Sequence, residues 1–405
     1  WRTKICQLDY TYGGSRVSTL KVDGIRSNSA SSDAITLASD GTCIANITNN
    51  LSNRNLIING AMQVAQRGTS ASASSGGMSV DRFGVYPSNT DEAVTYAQVD
   101  VASGATPYNL GLTKALKVTN GNQTSGAGAD DNIRILYKLE SQDVRNSGWN
   151  YLSSSSYVTL SFYVKSSVAQ NFNFALRTKD GPDRGYVYET GSLSADTWTK
   201  VTKTIPGDST LQFDNDNNAG LELNFWLFLG TNSTGTRPLN AWHSFDSSTI
   251  TPDQTSTWYT TNDATFEITG VQLEVGNHAT DFEHRSYGQE LALCQRYFYK
   301  IIGTSDDMAG IGFAQSSSDN YFNMEFPVPM RDYPSLTGSA TPARFFSSNN
   351  GQDFNLSAMS LTSNMTNANP KRVMLYVSQA GTAGGLGGAL HFQNQEGYLE
   401  FSSEL

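Results

Sequence analysis

Between Asn55 and about Phe282 the sequence keeps returning to one pattern: short runs rich in β-branched and aromatic residues, each closed by Gly, Asn or Asp. Residues 157–165 alternate in part, residues 172–176 continue the pattern, and residues 265–274 alternate again. Successive side chains of a strand point to opposite faces, so this spacing predicts strands with one face buried. Residues 221–229 are almost continuously apolar, as a central strand covered on both faces would be. Residues 198–205 place apolar side chains at every third or fourth position. Their β-branched content and the Pro206-Gly207 stop nevertheless favour a strand. Many such strands joined by turns predict an antiparallel β-sandwich.

At 405 residues the chain is long enough for two or three folding units. Charged residues make up 16% of it, against roughly 25% in ordinary soluble proteins, and Ser, Thr, Asn and Gly fill the difference. The formal net charge is -10, and Lys and Arg nowhere form the stripe that neutralises phosphates, which argues against nucleic acid as a partner. The lack of a polybasic segment and of an apolar run near ~18 residues argues against membrane association or insertion. Trp1-Arg2-Thr3 opens without Met and without a signal-like apolar core, so the natural chain is expected to start upstream. Cys6, Cys43 and Cys294 are odd in number, far apart and without metal-ligand spacing, so packed free thiols are expected rather than a disulfide framework.

Residues 1–54 contain short strand-like pieces separated by Gly24, a Ser/Asn run and the tight-turn pair Asp40-Gly41. They hold too few apolar residues to close a core alone, which predicts an extended stalk or attachment segment buried between copies. Residues 55–285 are expected to form the main sandwich. Ser286 and Gln289 have capping-box spacing, and Leu291, Cys294 and Phe298 recur along one face, predicting a linker helix within 286–300. Residues 301–405 are expected to form a smaller β knob. Its tract from Gly381 through Gly384, Gly385, Gly387 and Gly388 reads as an exposed distal loop.

The opening Asn55-Leu-Ile-Ile-Asn-Gly-Ala-Met62, the Trp198 strand and the closing Phe266-Glu-Ile-Thr-Gly-Val-Gln-Leu-Glu-Val-Gly276 resemble carbohydrate-binding-module-like jelly rolls. Together with Asp81-Arg-Phe83, Phe162-Tyr-Val-Lys-Ser166 and the stretch from Phe282 through Tyr297, they look like tail-fibre and virion structural proteins of marine bacteriophages, over residues 15–405. The N-terminal Leu20-Lys-Val-Asp-Gly-Ile25 is similar to repeats that build slender parts of such proteins, and residues 398–405 look like the family's C-terminus. The resemblance implies an all-β chain in which a jelly-roll β-sandwich is followed by a smaller C-terminal β-sandwich knob. It also implies a structural Ca²⁺ near the first and last strands. Glu274 is the candidate ligand, although Gln272 stands where an Asp-rich ending would be.

Aromatic faces stack on pyranose rings, and Trp149, Tyr151, Trp242, Trp258 and Tyr259 lie near predicted loops where they would suit that task, with packing as the competing reading. Trp198 and Trp226 read as core residues. Hydrolysis of a polysaccharide needs two facing carboxylates. Asp130-Asp131, Asp180 with Asp183, and Asp306-Asp307 all sit in turn-like contexts. The four histidines show no metal or nucleophile motif, so no enzyme, no catalytic residue and no cofactor beyond that Ca²⁺ are expected. The chain therefore reads as a homotrimeric phage tail fibre on the virion, attached to other virion proteins through its N-terminal segment and contacting a host-surface polysaccharide. The competing readings are a capsid or tail decoration protein and a polysaccharide depolymerase.

Overall fold

The computed structural model describes residues 23–26, 29, 35–37, 43–45, 53–304, 307–339, 343–347, 353–356, 358–361, 371–378, 384–392 and 397–405. The chain divides into two compact units, residues 1–53 and 54–405. In the first, β1 (Gly24–Ile25), β2 (Ile35–Leu37) and β3 (Cys43–Ala45) pair antiparallel in that order, with Ile25 and Leu37 exposed. The Asp40-Gly41 turn and Cys6 lie outside the described residues.

The larger unit begins with twelve strands: β4 (Ser70–Ala73), β5 (Gly84–Ser88), β6 (Val94–Asp100), β7 (Lys114–Thr119), β8 (Asn132–Glu140), β9 (Tyr157–Ser166), β10 (Asn173–Thr178), β11 (Arg184–Glu189), β12 (Thr199–Pro206), β13 (Ala219–Leu229), β14 (Trp242–Ser244) and β15 (Thr265–Val275). They form two six-stranded antiparallel sheets, β14-β11-β10-β13-β8-β5 and β12-β9-β15-β7-β6-β4. The inner faces meet over one hydrophobic core. At its centre Phe162 of β9, Phe174 of β10 and Phe225 of β13 stand edge to face with centroids 5.0–5.3 Å apart. That arrangement sets the positive ring edges against the negative faces. This is the antiparallel β-sandwich that the alternation of residues 157–165 and 265–274 predicts.

The segment from Asn55 to Met62 is not a regular strand; turns interrupt it. Side-chain amides replace the missing ladder. Asn55 donates to the Val271 carbonyl (3.2 Å) and accepts from the amides of Ile57 and Leu273 (both 3.0 Å). Asn59 takes a left-handed φ of 60° and donates to the carbonyls of Val64 and Asp81 (2.9 Å each). Asn is among the few non-glycine residues that adopt this conformation readily, because its amide can bond locally.

The helix at Tyr287–Gln295 carries the expected capping box: Ser286 Oγ accepts from the Gln289 amide (3.3 Å) and Gln289 Oε1 accepts from the Ser286 amide (3.0 Å). Cys294 is a buried free thiol, and burial pushes its pKa up, which keeps it protonated and unreactive.

The remaining strands are β16 (Phe298–Gly303), β17 (Met308–Ala314), β18 (Asp319–Glu325), β19 (Ser335–Ser339), β20 (Ala343–Ser347), β21 (Asp353–Leu356), β22 (Ala358–Leu361), β23 (Arg372–Ser378), β24 (Gly387–Phe392) and β25 (Gly397–Ser402). A three-stranded sheet, β16-β25-β19, packs on a seven-stranded sheet, β21-β20-β24-β17-β18-β23-β22, around Phe322, Met324, Leu375, Leu390, Phe392 and Phe401. This smaller sandwich departs from expectation at the glycine tract. Gly387 and Gly388 are not in a loop but open β24, where they pair with Phe313 and Gly312. Gly384 and Gly385 form an exposed turn, and Gly381 lies outside the described residues.

A polar seam joins the two sandwiches. Glu140, fully buried at the end of β8, accepts two bonds from Arg296 (2.6 and 2.7 Å) and one from the Tyr297 hydroxyl (2.6 Å). Burial alone would raise its pKa, but these bonds outweigh it and hold the carboxyl below its ordinary value. Glu404 pairs with Arg82 and, at 3.1 Å, with Arg67. Arg331 donates to the carbonyls of Ser403 (2.6 Å) and Asn217 (2.9 Å).

Candidate functional site

The outer face of the first six-stranded sheet is set by register. Opposite the core-facing Leu221, Leu223 and Phe225, β13 presents Glu222, Asn224 and Trp226 outward. Their neighbours across β10 are Arg177, Ala175 and Asn173, and Trp226 faces Arg134 of β8 on its other side. Residues 245–250 rise over this face as a wall. The Phe245 amide donates to the Asp183 carbonyl (3.0 Å), the Ile250 amide donates to the Ser233 carbonyl (2.8 Å), and Arg237 holds Thr249. Between wall and sheet lies a small cleft of about 40 Å³ that opens to solvent. Its lining includes Arg134, Arg177, Glu222, Asn224, Trp226 and His243.

Arg134, Arg177 and His243 are each positioned by further contacts. Arg134 donates to Asn224 Oδ1 (3.0 Å), and its guanidinium lies 5.1 Å from the Trp226 ring centroid and 5.8 Å from that of Tyr86. Burial lowers the Arg134 pKa, with Glu222 opposing, so this charge gains from any further acceptor. Arg177 lies 3.7 Å over the Phe245 ring and bonds Asp183 through Nε (2.9 Å). The His243 ring covers Gly185, where an added Cβ would sit 2.7 Å from Nε2. Burial lowers its pKa, so the imidazole is neutral near pH 7 and carries both a donor and an acceptor.

One group has no protein partner. Trp226 is 4% exposed and lines the cleft, yet its indole N–H makes no hydrogen bond. A buried donor left unpaired costs about 1–3 kcal/mol, and a ligand acceptor placed there would recover it. Aromatic walls at Trp226 and Phe245, donors on Arg134 and Arg177, and acceptors on Glu222 and Asn224 make the cleft suited to a polyhydroxylated ligand.

The aromatic residues expected to bind glycan are elsewhere. Trp149 is 3% exposed and donates to the Ser156 carbonyl (3.3 Å), with Tyr151 and Phe213 packed around it. Trp258 is fully buried and donates to the Thr265 carbonyl (3.0 Å). Tyr259 stacks on Phe228 at 4.2 Å and donates to Asp131 (3.0 Å). Tyr151 and Trp242 are half-buried against the same core, Trp242 donating to the Pro206 carbonyl (2.7 Å). Trp149, Trp258 and Tyr259 are thus buried, while Tyr151 and Trp242 are packed against the core on one side. Trp226, read from the sequence as core, is buried in a cluster with Ala175, Val187 and Leu229 and also lines the cleft. Its signal was available: Glu222 and Asn224, two and four residues earlier, mark the outward register to which it belongs.

Glu274 does not suit a Ca²⁺ ligand. Its Oε1 accepts from Gln272 Nε2 (2.8 Å) and the Thr280 amide (2.9 Å), its Oε2 from the Thr280 hydroxyl (2.6 Å), and Arg54 Nε lies 3.6 Å from Oε2. Donors and a guanidinium occupy the shell where a cation would need oxygens. Among the described residues no three His, Cys, Asp or Glu side chains cluster as a metal site. Chelation with EDTA is therefore expected to leave the thermal midpoint unchanged, whereas Arg54→Ala lowers it. A fall with EDTA that Ca²⁺ restores would refute this assignment.

The carboxylates considered for hydrolysis serve turns and pairs: Asp131 accepts from the Gly128 amide (2.6 Å), Asp180 from the Asp214 amide (3.1 Å), and Asp307 from the Thr304 amide (2.7 Å). Asp183 is held by Arg177, and Asp306 lies outside the described residues.

No protein-family model matches this chain, and no curated protein matches it. Among solved structures it is similar to the enzymatically active domain of tailspike protein 4 from bacteriophage CBA120, at 9% identity and a TM-score of 0.29. That match covers 55% of this chain and 21% of the tailspike chain. It is also similar to a family 11 carbohydrate-binding module from Clostridium thermocellum in complex with a β-1,3-1,4-mixed-linked tetrasaccharide (13% identity, TM-score 0.23, 53% of this chain and 98% of that one). A tandem pair of family 22 carbohydrate-binding modules from Paenibacillus barcinonensis matches at 10% identity and a TM-score of 0.27, over 89% of this chain and 93% of that one.

Proposed function

We propose that this chain is a non-catalytic glycan-binding protein that seats a polysaccharide in the cleft over Trp226, and that it serves as a trimeric tail fibre of a bacteriophage particle. The observation that carries the first part is the indole N–H of Trp226, buried in the cleft wall without a partner. Sugar hydroxyls accept such a bond, and Arg134, Glu222 and Asn224 read the neighbouring hydroxyls. The virion role and the trimer rest on the resemblance of residues 15–405 to phage fibre proteins.

Titration of the full chain with a panel of neutral and acidic oligosaccharides tests the binding site. Trp226→Phe keeps a ring but removes the N–H, and Arg134→Ala removes the charge beside it. Each is expected to weaken binding about tenfold, the size of one hydrogen bond to a polar ligand. Unchanged affinity in both variants would remove the cleft from the reading. Release of oligosaccharides from the polymer would instead support a depolymerase, and labelling that finds the chain on the capsid would support a decoration protein.

A further inference from the structure

The cleft has two unlike ends. Glu222 lies four residues before Trp226 on β13, ~13 Å along the strand, and its neighbours across the sheet are Arg177 and Lys138. Charges at that end answer one another. Arg177 and Lys179 both pair with Asp183, and Arg237 of the wall stands 3.9 Å from Asp246. The Trp226 end is apolar, with Ala175, Val187 and Ile250 clustered against the indole. One charge enters it, that of Arg134, which is paired with Trp226 across β8 and β13.

Unlike Arg177 and Arg237, Arg134 pairs with no carboxylate among the described residues; its hydrogen bond goes to the neutral Asn224 Oδ1 (3.0 Å). Burial lowers its pKa, because Glu222 only partly offsets the lost water. A charge held this way is costly, and the same low dielectric strengthens its attraction to any anion placed beside it. The second group at this end is the buried Trp226 N–H, which has no partner. With Asn224 Oδ1 engaged, the side chains here offer a ligand N–H donors and a positive charge. At about 40 Å³ the cleft has room for a few waters or one small group, not for a sugar ring.

We infer that the Trp226 end of the cleft receives the carboxylate of an acidic sugar, a hexuronate unit of the polysaccharide, with Arg134 and the Trp226 indole N–H as its two donors. The group that enters is a substituent standing off the ring, as the C6 carboxylate of a hexuronate does, which fits the small volume. The guanidinium carbon lies 5.1 Å from the indole centroid, within the span of one carboxylate and a hydrogen bond on either side of it. A guanidinium matches a planar two-oxygen anion in both charge and geometry, whereas a hydroxyl in the same place leaves the Arg134 charge unanswered. The inference rests on the glycan reading of this cleft and narrows its ligand to one chemical class.

Matched pairs of glycosides test it: methyl glucuronide and methyl galacturonide against methyl glucoside and methyl galactoside, which carry an alcohol in place of the carboxylate. Each is titrated to millimolar concentration into the isotope-labelled full chain, and the indole N–H signals are followed by NMR. The Trp226 signal is the one missing from Trp226→Phe, and the other indole signals report that each variant is folded. The uronides are expected to move the Trp226 signal and to bind at least tenfold more tightly than their neutral partners, a preference that added salt reduces. Arg134→Gln, which keeps an amide but no charge, is expected to bring that ratio near one. Equal affinity for uronide and neutral glycoside, with the Trp226 signal moving in both, overturns the carboxylate and leaves the glycan reading of the cleft standing. A uronide preference that survives Arg134→Gln places the carboxylate elsewhere and overturns the inference too. A Trp226 signal that no sugar moves overturns both readings, and leaves the N–H to water or to the side-chain oxygen of Asn173, buried and unbonded on the neighbouring strand.

Discussion

Replacing Glu404 with alanine is expected to destabilise the 54–405 unit by about 3–5 kcal/mol, the cost of leaving a buried charge without its partner. Arg82 is 3% exposed, its guanidinium lies 3.4 Å over the Tyr297 ring, and it donates to the Lys138 carbonyl (2.6 Å). Glu404 is the carboxylate it pairs with, and Arg67 holds the other oxygen of the same group at 3.1 Å. Without Glu404 the Arg82 charge stays in a site closed by Tyr137, Tyr297 and the strand β8. Urea unfolding at constant m-value measures the loss. Because buried pairs can be exchanged for apolar ones with little penalty, Arg82→Met combined with Glu404→Leu should recover most of it. A loss below about 1 kcal/mol would mean that the pair contributes no more than a surface one.

Gly60→Ala is expected to cost about 3 kcal/mol or more, because the new methyl would meet backbone that cannot yield. An added Cβ would stand 2.1 Å from the Val271 carbonyl oxygen. The close approach is held on both sides: the Val271 amide donates to the Gly60 carbonyl (2.9 Å), and the Asn59 amide donates to Glu290 (2.6 Å). Gly288, in the first turn of the Tyr287–Gln295 helix, is the control. A Cβ there meets nothing within 4 Å, so Gly288→Ala should raise stability by roughly 0.5–1 kcal/mol through the entropy of the unfolded chain. Opposite signs for the two substitutions in one thermal melt series are the expected outcome. A neutral Gly60→Ala would show that the opening segment is not locked to β15.

Much of the sandwich was legible in the sequence because strand alternation and turn chemistry are local. The period of two in residues 265–274 places Phe266 and Ile268 in the core without reference to any other part of the chain. The Ser286–Gln289 cap is local for the same reason, both partners lying within one helical turn. The site was less legible. The outward register of Trp226 could be counted from Glu222 and Asn224, but the wall at residues 245–250 that makes it a cleft could not.

The sequence by itself determined the all-β class, the antiparallel sandwich and the capped helix, since each follows from spacings of two to four residues. Only the tertiary structure decided where the loop aromatics point. Trp149, Trp258 and Tyr259 sit beside turns in the chain, yet they are buried in the sandwich core, where hydrogen-bond partners and ring neighbours, most of them distant in sequence, take them up. It also decided what answers Glu274: Arg54, 220 residues away, stands where a cation was expected. At β24 it overrode composition, since the partners of Gly387 and Gly388 on β17 satisfy their backbone and make strand of a glycine-rich tract. Contacts between residues distant in sequence made these three decisions, and no local pattern encodes them.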